Sequence, residues 1–482
     1  MLESNKHNQI GKNENGKFSP VTKEELQELI RDRSVYLGDI DTSKITDMSY
    51  LFGTFVDYDL PDREDYSGIE TWDVSNVTTM QGMFQCAKTF NQPIGNWDTS
   101  HVTDMSGMFG GVWSFNQPIG NWDTSHVTDM AGMFSDAESF NQPIDRWDVS
   151  HVTNMNAMFA RAVSFDQPLN NWDVSNVQNM SEIFQDAYNF DQPLDRWDTS
   201  HVENMDSMFS RARSFNHPIG CWNVSNVKNM ACMFEGAESF NHPIGSWDTS
   251  HVTDMTCMFQ FAVNFNQSLN DWDVSNVADV HYMFFEAYNF NQSLDKWDVS
   301  NVKNMAGMFE EAYNFNQPLD KWDVSNVNNM ARMFANAEAF NQSIDSWDTS
   351  NVTNKDSMFE GAKSFHQSPK YESTPSSEID KFIQEGNLDF LAQYLSEKIP
   401  EFQEMFLRRG REEGLEQGLK LGRDGAFRDL VFYDIAAHSS ISNKALADKF
   451  HISTSQVERY REDWKKLKSS EQRKYKSEGK TR

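Results

Sequence analysis

Twelve tryptophans recur at an interval of 25 residues, from Trp72 and Trp97 through Trp322 to Trp347. Of the fourteen in the chain, only Trp113 and Trp464 stand outside this comb. A fixed interval of this length marks one supersecondary unit stacked on copies of itself, because so small a unit cannot bury its apolar face alone. The repeat therefore overrides the expectation of about three domains that a chain of 482 residues otherwise carries.

Within one copy, such as Phe90 to Ser114, other positions recur as strictly as the tryptophan. Two ladders, through Phe84 and Phe90, take 24 of the 36 phenylalanines, and two more, through Met80 and Met83, take 21 of the 24 methionines. Met80, Met83, Phe84 and Ala87 follow the i, i+3, i+4, i+7 spacing of one helical face. The preceding residue (Thr79, Asp104, Asp129, Asn154) is always Thr, Asp or Asn, the side chains that cap a helix N-terminus. This predicts a helix of about two turns starting near Met80. The segment Ile94 to Thr99 alternates between Pro93 and Ser100 and predicts a short strand. The expected class is α/β: a leucine-rich-repeat-like solenoid of one short strand and one short helix per copy, on the order of 60 Å long at the spacing of stacked strands.

Three ladders tempt a metal reading. The methionines sit at helical spacing among Phe and Ala, where thioethers fill a core, so packing outweighs copper or haem. Asp73 recurs in every copy except Asn223, with an unchanging Ser two residues on. One carboxylate per coil supplies too few oxygens for calcium, and an Asx-turn uses the same residues. His101, His126, His151, His201 and His251 share their slot with Asn, which suits surface hydrogen bonding better than zinc. The cysteines Cys86, Cys221, Cys232 and Cys257 have no metal-binding spacing and suggest no disulfide framework. Cys232 and Cys257 share one slot and read as chance substitutions at a tolerant position. No nucleophile–base pair, phosphate loop or metal motif is recognisable, so no catalytic, cofactor-binding or metal-binding residue is expected, and no cofactor.

Net charge is −30 overall, yet residues 371 to 482 hold 20 basic and 20 acidic side chains, so the repeats carry the whole excess. Such a surface repels nucleic acid and anionic membrane. Residues 441 to 482 invert this, with 12 basic against 6 acidic side chains.

The WDVSNVTNM-type copies with MF and FNQP resemble the BspA-like leucine-rich repeat surface proteins, over roughly residues 36 to 368. The resemblance implies an α/β solenoid, no catalytic residues, and binding of other proteins, often at a cell surface. The start, MLESNKHNQIGKNENGKF, lacks the apolar run of a secretory signal and no run is long enough to span a membrane, which reads as cytoplasmic. Before the array, residues 1 to 35 read as a tail and a capping helix from Thr22 to Asp32. Residues 369 to 379 read as a linker.

From 380 to 440 the composition turns helical, with Gly410, Gly414, Gly418 and Gly422 forming a small-residue stripe that would permit self-association or simply loosen the helix. Residues 441 to 468 resemble a helix-turn-helix, with a basic tail from 469 to 482. There Lys444, Arg459, Arg461, Lys465, Lys466 and Lys468 would meet DNA phosphates or bases, unless the unit docks a protein.

The expected function is a non-enzymatic protein-binding or adhesion-type repeat protein of unidentified partner. The alternative is an intracellular DNA-associated regulator or scaffold acting through the C-terminal unit. Because identical ladders serve packing, the binding surface should lie where copies differ. Trp113, Tyr188, Phe261, Tyr282, Phe285, Tyr288 and Tyr313 are the large aromatics at such slots.

Overall fold

A chain that turns through one coil every 25 residues must pair its backbone groups within that coil or with the coils beside it. In the computed structural model, which describes residues 10–53, 63 and 65–365, it does both in alternation. The N–H groups of Met80, Gly82, Phe84 and Cys86 donate to the carbonyls of Asp104, Ser106, Met108 and Gly110 in the next copy at 2.7–3.0 Å. Between them, Met83, Gln85 and Ala87 donate three residues back to Met80, Gly82 and Phe84 at 2.8–3.0 Å. Thr79 forms a parallel bridge with Asp104, and the bridge repeats from copy to copy as far as Asn354. Among the described residues it fails to form only between Asp254 and Asp279.

The predicted helix is absent. Residues 80–87 form a run of turns, because Gly82 and Cys86 take positive φ of +55° and +63°, as do their equivalents in every copy. A left-handed residue at every fourth position stops α-helical propagation and aims every second N–H along the stack instead. Most of these sites hold side chains other than glycine, Arg161, Glu182 and Tyr282 among them. Each costs roughly 1 kcal/mol of backbone strain, held in place by hydrogen bonds on both sides. The predicted strand at Ile94–Thr99 is also absent, replaced by a turn that the Trp97 N–H closes onto the Ile94 carbonyl at 3.2 Å. The bridge forms instead at the residue predicted as the helix cap.

The apolar spacing still selects the core, because three-residue turns bring Met80, Met83, Phe84 and Ala87 inward, each at most 1% exposed. Phe84 stacks on Phe90 at 3.8 Å and on Phe109 of the next copy at 5.7 Å. Trp97 lies parallel to Trp122 at 6.4 Å. Tryptophan adds a polar link: the Trp122 Nε1–H donates to the Ile94 carbonyl at 3.1 Å, a bond kept as far as Trp347 on Leu319. Where Thr99, Thr124, Thr199 and Thr249 replace valine, the buried hydroxyl donates to a carbonyl of the following copy at 2.8–2.9 Å.

Helix α1 (Lys23–Arg31) covers the start of the stack. Thr22 caps it by accepting the Glu25 N–H, and Leu26, Leu29 and Ile30 are its buried face. Lys23 ties it to the first coil through Asp47 at 3.1 Å and through Ser49. The chain divides into two units, Met1–Thr374 and Pro375–Arg482. The glycine stripe and the basic C-terminal residues lie outside the described residues.

The aspartate ladder forms Asx-turns. The Asp98 carboxylate accepts the Ser100 N–H at 3.1 Å, and Asp123 accepts both the N–H and the hydroxyl of Ser125 at 3.0 and 2.6 Å. The serine hydroxyl first, and its N–H second, hold Asp98, Asp123, Asp148, Asp198, Asp248 and Asp323 below the usual carboxylate range. A lowered folded-state value means stability that is complete above the unfolded value of 3.8 and lost as pH falls through the folded one. The melting temperature is therefore expected to fall progressively below pH 4, and less steeply in a variant with Ser100, Ser125 and Ser150 replaced by alanine. A profile flat from pH 5 to pH 2 would remove this role.

Candidate functional site

Once the ladders are spent on packing, the slots that vary between copies remain. They gather on one strip of the turn segment, following the second methionine and its phenylalanine. Along part of that strip one slot alternates in sign: Asp136, Arg161, Asp186, Arg211. Arg161 lies 3.2 Å from Asp136 and 3.9 Å from Asp186, and Arg211 lies 2.9 Å from Asp186. Glu235 stands 3.9 Å beyond Arg211, and Asp186, Arg211 and Glu235 are all buried.

Further along, the same slot holds Phe261, Glu286 and Glu311. Glu286 and Glu311 accept hydrogen bonds from the hydroxyls of Tyr288 and Tyr313, whose rings stack at 4.8 Å. Beside them Arg332 grips Glu310 with two bonds of 2.9 and 2.6 Å. Burial lifts the Glu310 carboxyl above its ordinary range despite that arginine. Phe285 is wedged between Phe261 at 5.2 Å and Tyr282 at 5.4 Å.

The structure thus brings together two aromatic groups named from the sequence, Phe261–Tyr282–Phe285 and Tyr288–Tyr313, within three successive copies. It corrects one assignment: Phe285 is 2% exposed and belongs to the interior, since its neighbours on both sides close over it. Trp113 and Tyr188 stand apart in earlier copies. Trp113 is 46% exposed under Lys88, whose ammonium sits 4.5 Å from the ring, and Arg213 covers Tyr188 at 4.8 Å. The nucleic-acid candidates Lys444, Arg459, Arg461, Lys465, Lys466 and Lys468 lie outside the described residues.

One constellation escaped the sequence reading. Cys232 and Cys257 occupy the same slot of adjacent copies, the Cys232 N–H donating to the Thr256 carbonyl at 2.8 Å and the Cys257 N–H to the carbonyl of His281 in the copy beyond at 3.0 Å. Asp279 meets the His281 Nδ1 at 2.8 Å and accepts the His281 backbone N–H at 2.9 Å. Asn304 donates to the other oxygen of Asp279 at 3.1 Å. Its bond to Cys232, then its bond and charge contact with His281, pull the Cys257 thiol down to about 7 against burial. Cys232 is pushed well above the ordinary thiol range, by its bond to Cys257 and then by burial. Burial would depress His281, but its bonds to Asp279 and Cys257 outweigh it and raise the imidazole to about 10. The available signal was the 25-residue spacing of the two cysteines together with Val280–His281–Tyr282, where other copies carry methionine and mostly small residues.

The histidines of the surface ladder show no such company. His101, His126, His151 and His251 contact the preceding serine hydroxyl at 3.3–3.5 Å. Where that slot holds Asn176 or Asn226, the amide donates to a serine carbonyl of the previous copy at 2.6–2.7 Å. A polar groove of about 820 Å³ runs beside Asn216, Asn241, Asn266 and Asn291. The Oδ1 atoms of the first three accept backbone N–H groups of the next copy at 3.0–3.1 Å, so this column is structural.

Among the described residues, no helix is long and apolar enough to cross a membrane. A protein-family model described as "Mycoplasma protein of unknown function, DUF285" matches the chain five times in overlapping spans, over residues 24–119, 57–171, 107–216, 160–272 and 264–372. No curated protein matches the chain.

Proposed function

We propose that this chain, which belongs to the DUF285 family, is a non-enzymatic protein-binding repeat protein whose docking surface is the variable strip around Phe261, Tyr282, Tyr288 and Tyr313. The resemblance of residues 36 to 368 to BspA-like leucine-rich repeat proteins supports this reading. The observation that carries it is the stacked Tyr288–Tyr313 pair with buried Glu286 and Glu311 behind the hydroxyls. Aromatic faces half-open to solvent and backed by anionic oxygens suit a partner segment that presents arginine or lysine. The arginine-covered Tyr188 is a version of the same contact already filled from within the chain.

Replacing Tyr288 and Tyr313 together by serine is expected to leave the far-ultraviolet spectrum and melting temperature nearly unchanged and to abolish recovery of the partner by affinity capture. Undiminished capture would move the docking surface elsewhere, the basic C-terminal unit first. A large drop in melting temperature would assign the pair to the core. Phe285→Ser serves as the control for core damage, since that ring is interior.

A further inference from the structure

The cysteine constellation plays no part in the docking surface proposed above, and its parts are too specific for chance packing. The two cysteines occupy matching slots of adjacent copies, where the Cys232 N–H donates to the Thr256 carbonyl beside Cys257 at 2.8 Å and the Cys257 N–H donates to the His281 carbonyl at 3.0 Å. The cross-copy backbone bonds at these slots hold neighbouring coils near the spacing of hydrogen-bonded chains, about 4.8 Å, inside the Cα separation of about 4.4–6.8 Å that a disulfide tolerates. The imidazole of His281, in the copy beyond Cys257, is oriented by the Asp279 carboxylate, and that carboxylate is fixed in turn by Asn304. Cys232, Cys257 and His281 are all half-buried. The interrupted bridge between Asp254 and Asp279 falls between the same two copies that supply Cys257 and His281.

We infer that Cys257 and Cys232 form a peroxide-reactive dithiol, with His281, positioned by Asp279, activating Cys257, and Cys232 resolving the product to a disulfide between copies. In the first step the Cys257 thiolate attacks one oxygen of hydrogen peroxide. An S–O bond forms, the O–O bond breaks, and the leaving hydroxide takes the His281 proton and departs as water. In the second, the Cys232 sulfur attacks the Cys257 sulfenic acid. An S–S bond forms, the S–O bond breaks, and the Cys232 proton leaves with the hydroxide as a second water. Two thiols and one peroxide become one disulfide and two waters, the sulfurs supplying both electrons. Cys257 suits the attacking role because its thiolate is the populated form from about pH 7 upward, while Cys232 remains a thiol.

The test treats the reduced full chain with hydrogen peroxide at pH 7, quenches with a maleimide, and maps peptides by mass spectrometry. The expected product is the Cys232–Cys257 disulfide, formed at least ~10-fold faster than the exposed Cys221 is oxidised. In Cys232→Ser the sulfenic acid should accumulate on Cys257 and be trapped by a cyclic diketone. In His281→Gln the pH midpoint of Cys257 alkylation should rise from about 7 towards the ordinary thiol range near 8.5, a shift that a merely structural histidine would not produce. The charged and titrating groups facing the pair are His281, Asp279, Glu235 and Asp206. Glu235→Gln removes an anion that raises both thiols, so its midpoint should move down while that of His281→Gln moves up, which attributes the upward shift to the imidazole. Oxidation no faster than at Cys221, or a midpoint indifferent to His281→Gln in a variant that melts normally, overturns the inference. If His281→Gln does not fold, diketone trapping in Cys232→Ser decides it.

Discussion

Replacing Phe209 by alanine is expected to destabilise the stack by about 3–5 kcal/mol, the range for deleting a buried aromatic ring. The ring is fully buried and has contacts in three copies: Phe215 at 4.1 Å and Phe184 at 5.7 Å, with Trp222 at 6.1 Å and Phe234 at 5.8 Å on the other side. Its neighbours cannot close the void, because each is held at a fixed height by the cross-copy hydrogen bonds. The Phe209 N–H itself donates to the Met233 carbonyl at 2.9 Å. Repeat stability is close to a sum of nearest-neighbour terms, so the damage should stay local. Limited proteolysis is expected to cut within about one copy of residue 209, where the wild type is resistant. Phe359→Ala, in the last described copy, should cost less, since that ring is only partly buried. Equal losses at both positions would mean that the stack melts as one unit and that neighbour coupling is far stronger than assumed.

The same ladder shows what a sequence can and cannot convey. The comb of Trp, Phe and Met located the interior residue by residue, because burial depends on periodicity and the period is written in full. Helix α1 was marked by Thr22 ahead of Glu24 and Glu25, with Leu26, Leu29 and Ile30 at helical spacing. The elements inside each copy were illegible for a physical reason. An i, i+3, i+4 pattern is what a helix needs, but it is also what successive three-residue turns produce. The difference lies in left-handed residues such as Cys86, Arg161 and Tyr282, whose identities give no hint of positive φ. Nor does Thr79 announce whether it caps a helix or bridges the next coil, since both uses favour a small polar side chain. Phe285 looked like an exposed anchor because variability between copies was taken for exposure, and on a stacked surface two neighbours can bury a variable residue. The Cys257–His281–Asp279 arrangement was hidden because Cys257 lies 22 and 24 residues before Asp279 and His281, in the neighbouring coil. It becomes visible only when the copies are written beneath one another and the odd residues are read downward.

The charged slot tests a different kind of dependence. Arg211 is buried between Asp186 in the copy before it and Glu235 in the copy after it, at 2.9 and 3.9 Å. Ser210 adds a 3.0 Å hydrogen bond to the far carboxylate. Removing the arginine leaves the buried Glu235 carboxylate without a cation and Asp186 with only Arg161 at 3.9 Å, and Arg211→Met is expected to cost about 3–5 kcal/mol. Methionine keeps the Cβ and most of the stem, so the positive φ of +54° at this position contributes the same strain in both proteins and lost packing is a small part of the effect. The triad as a whole is a different matter, because taking three charges out of water costs about what their attraction returns. A triple variant, Arg211→Met with Asp186→Asn and Glu235→Gln, should therefore recover most of the loss. Hydrogen exchange of the copies around residue 211 is the suitable readout, since a long array need not unfold in one step. Recovery in the triple variant would establish that the single variant suffers from uncompensated charge. A triple variant as unstable as the single one would show that the ion triad itself contributes net stability, joining copies that the aromatic ladder alone holds too weakly.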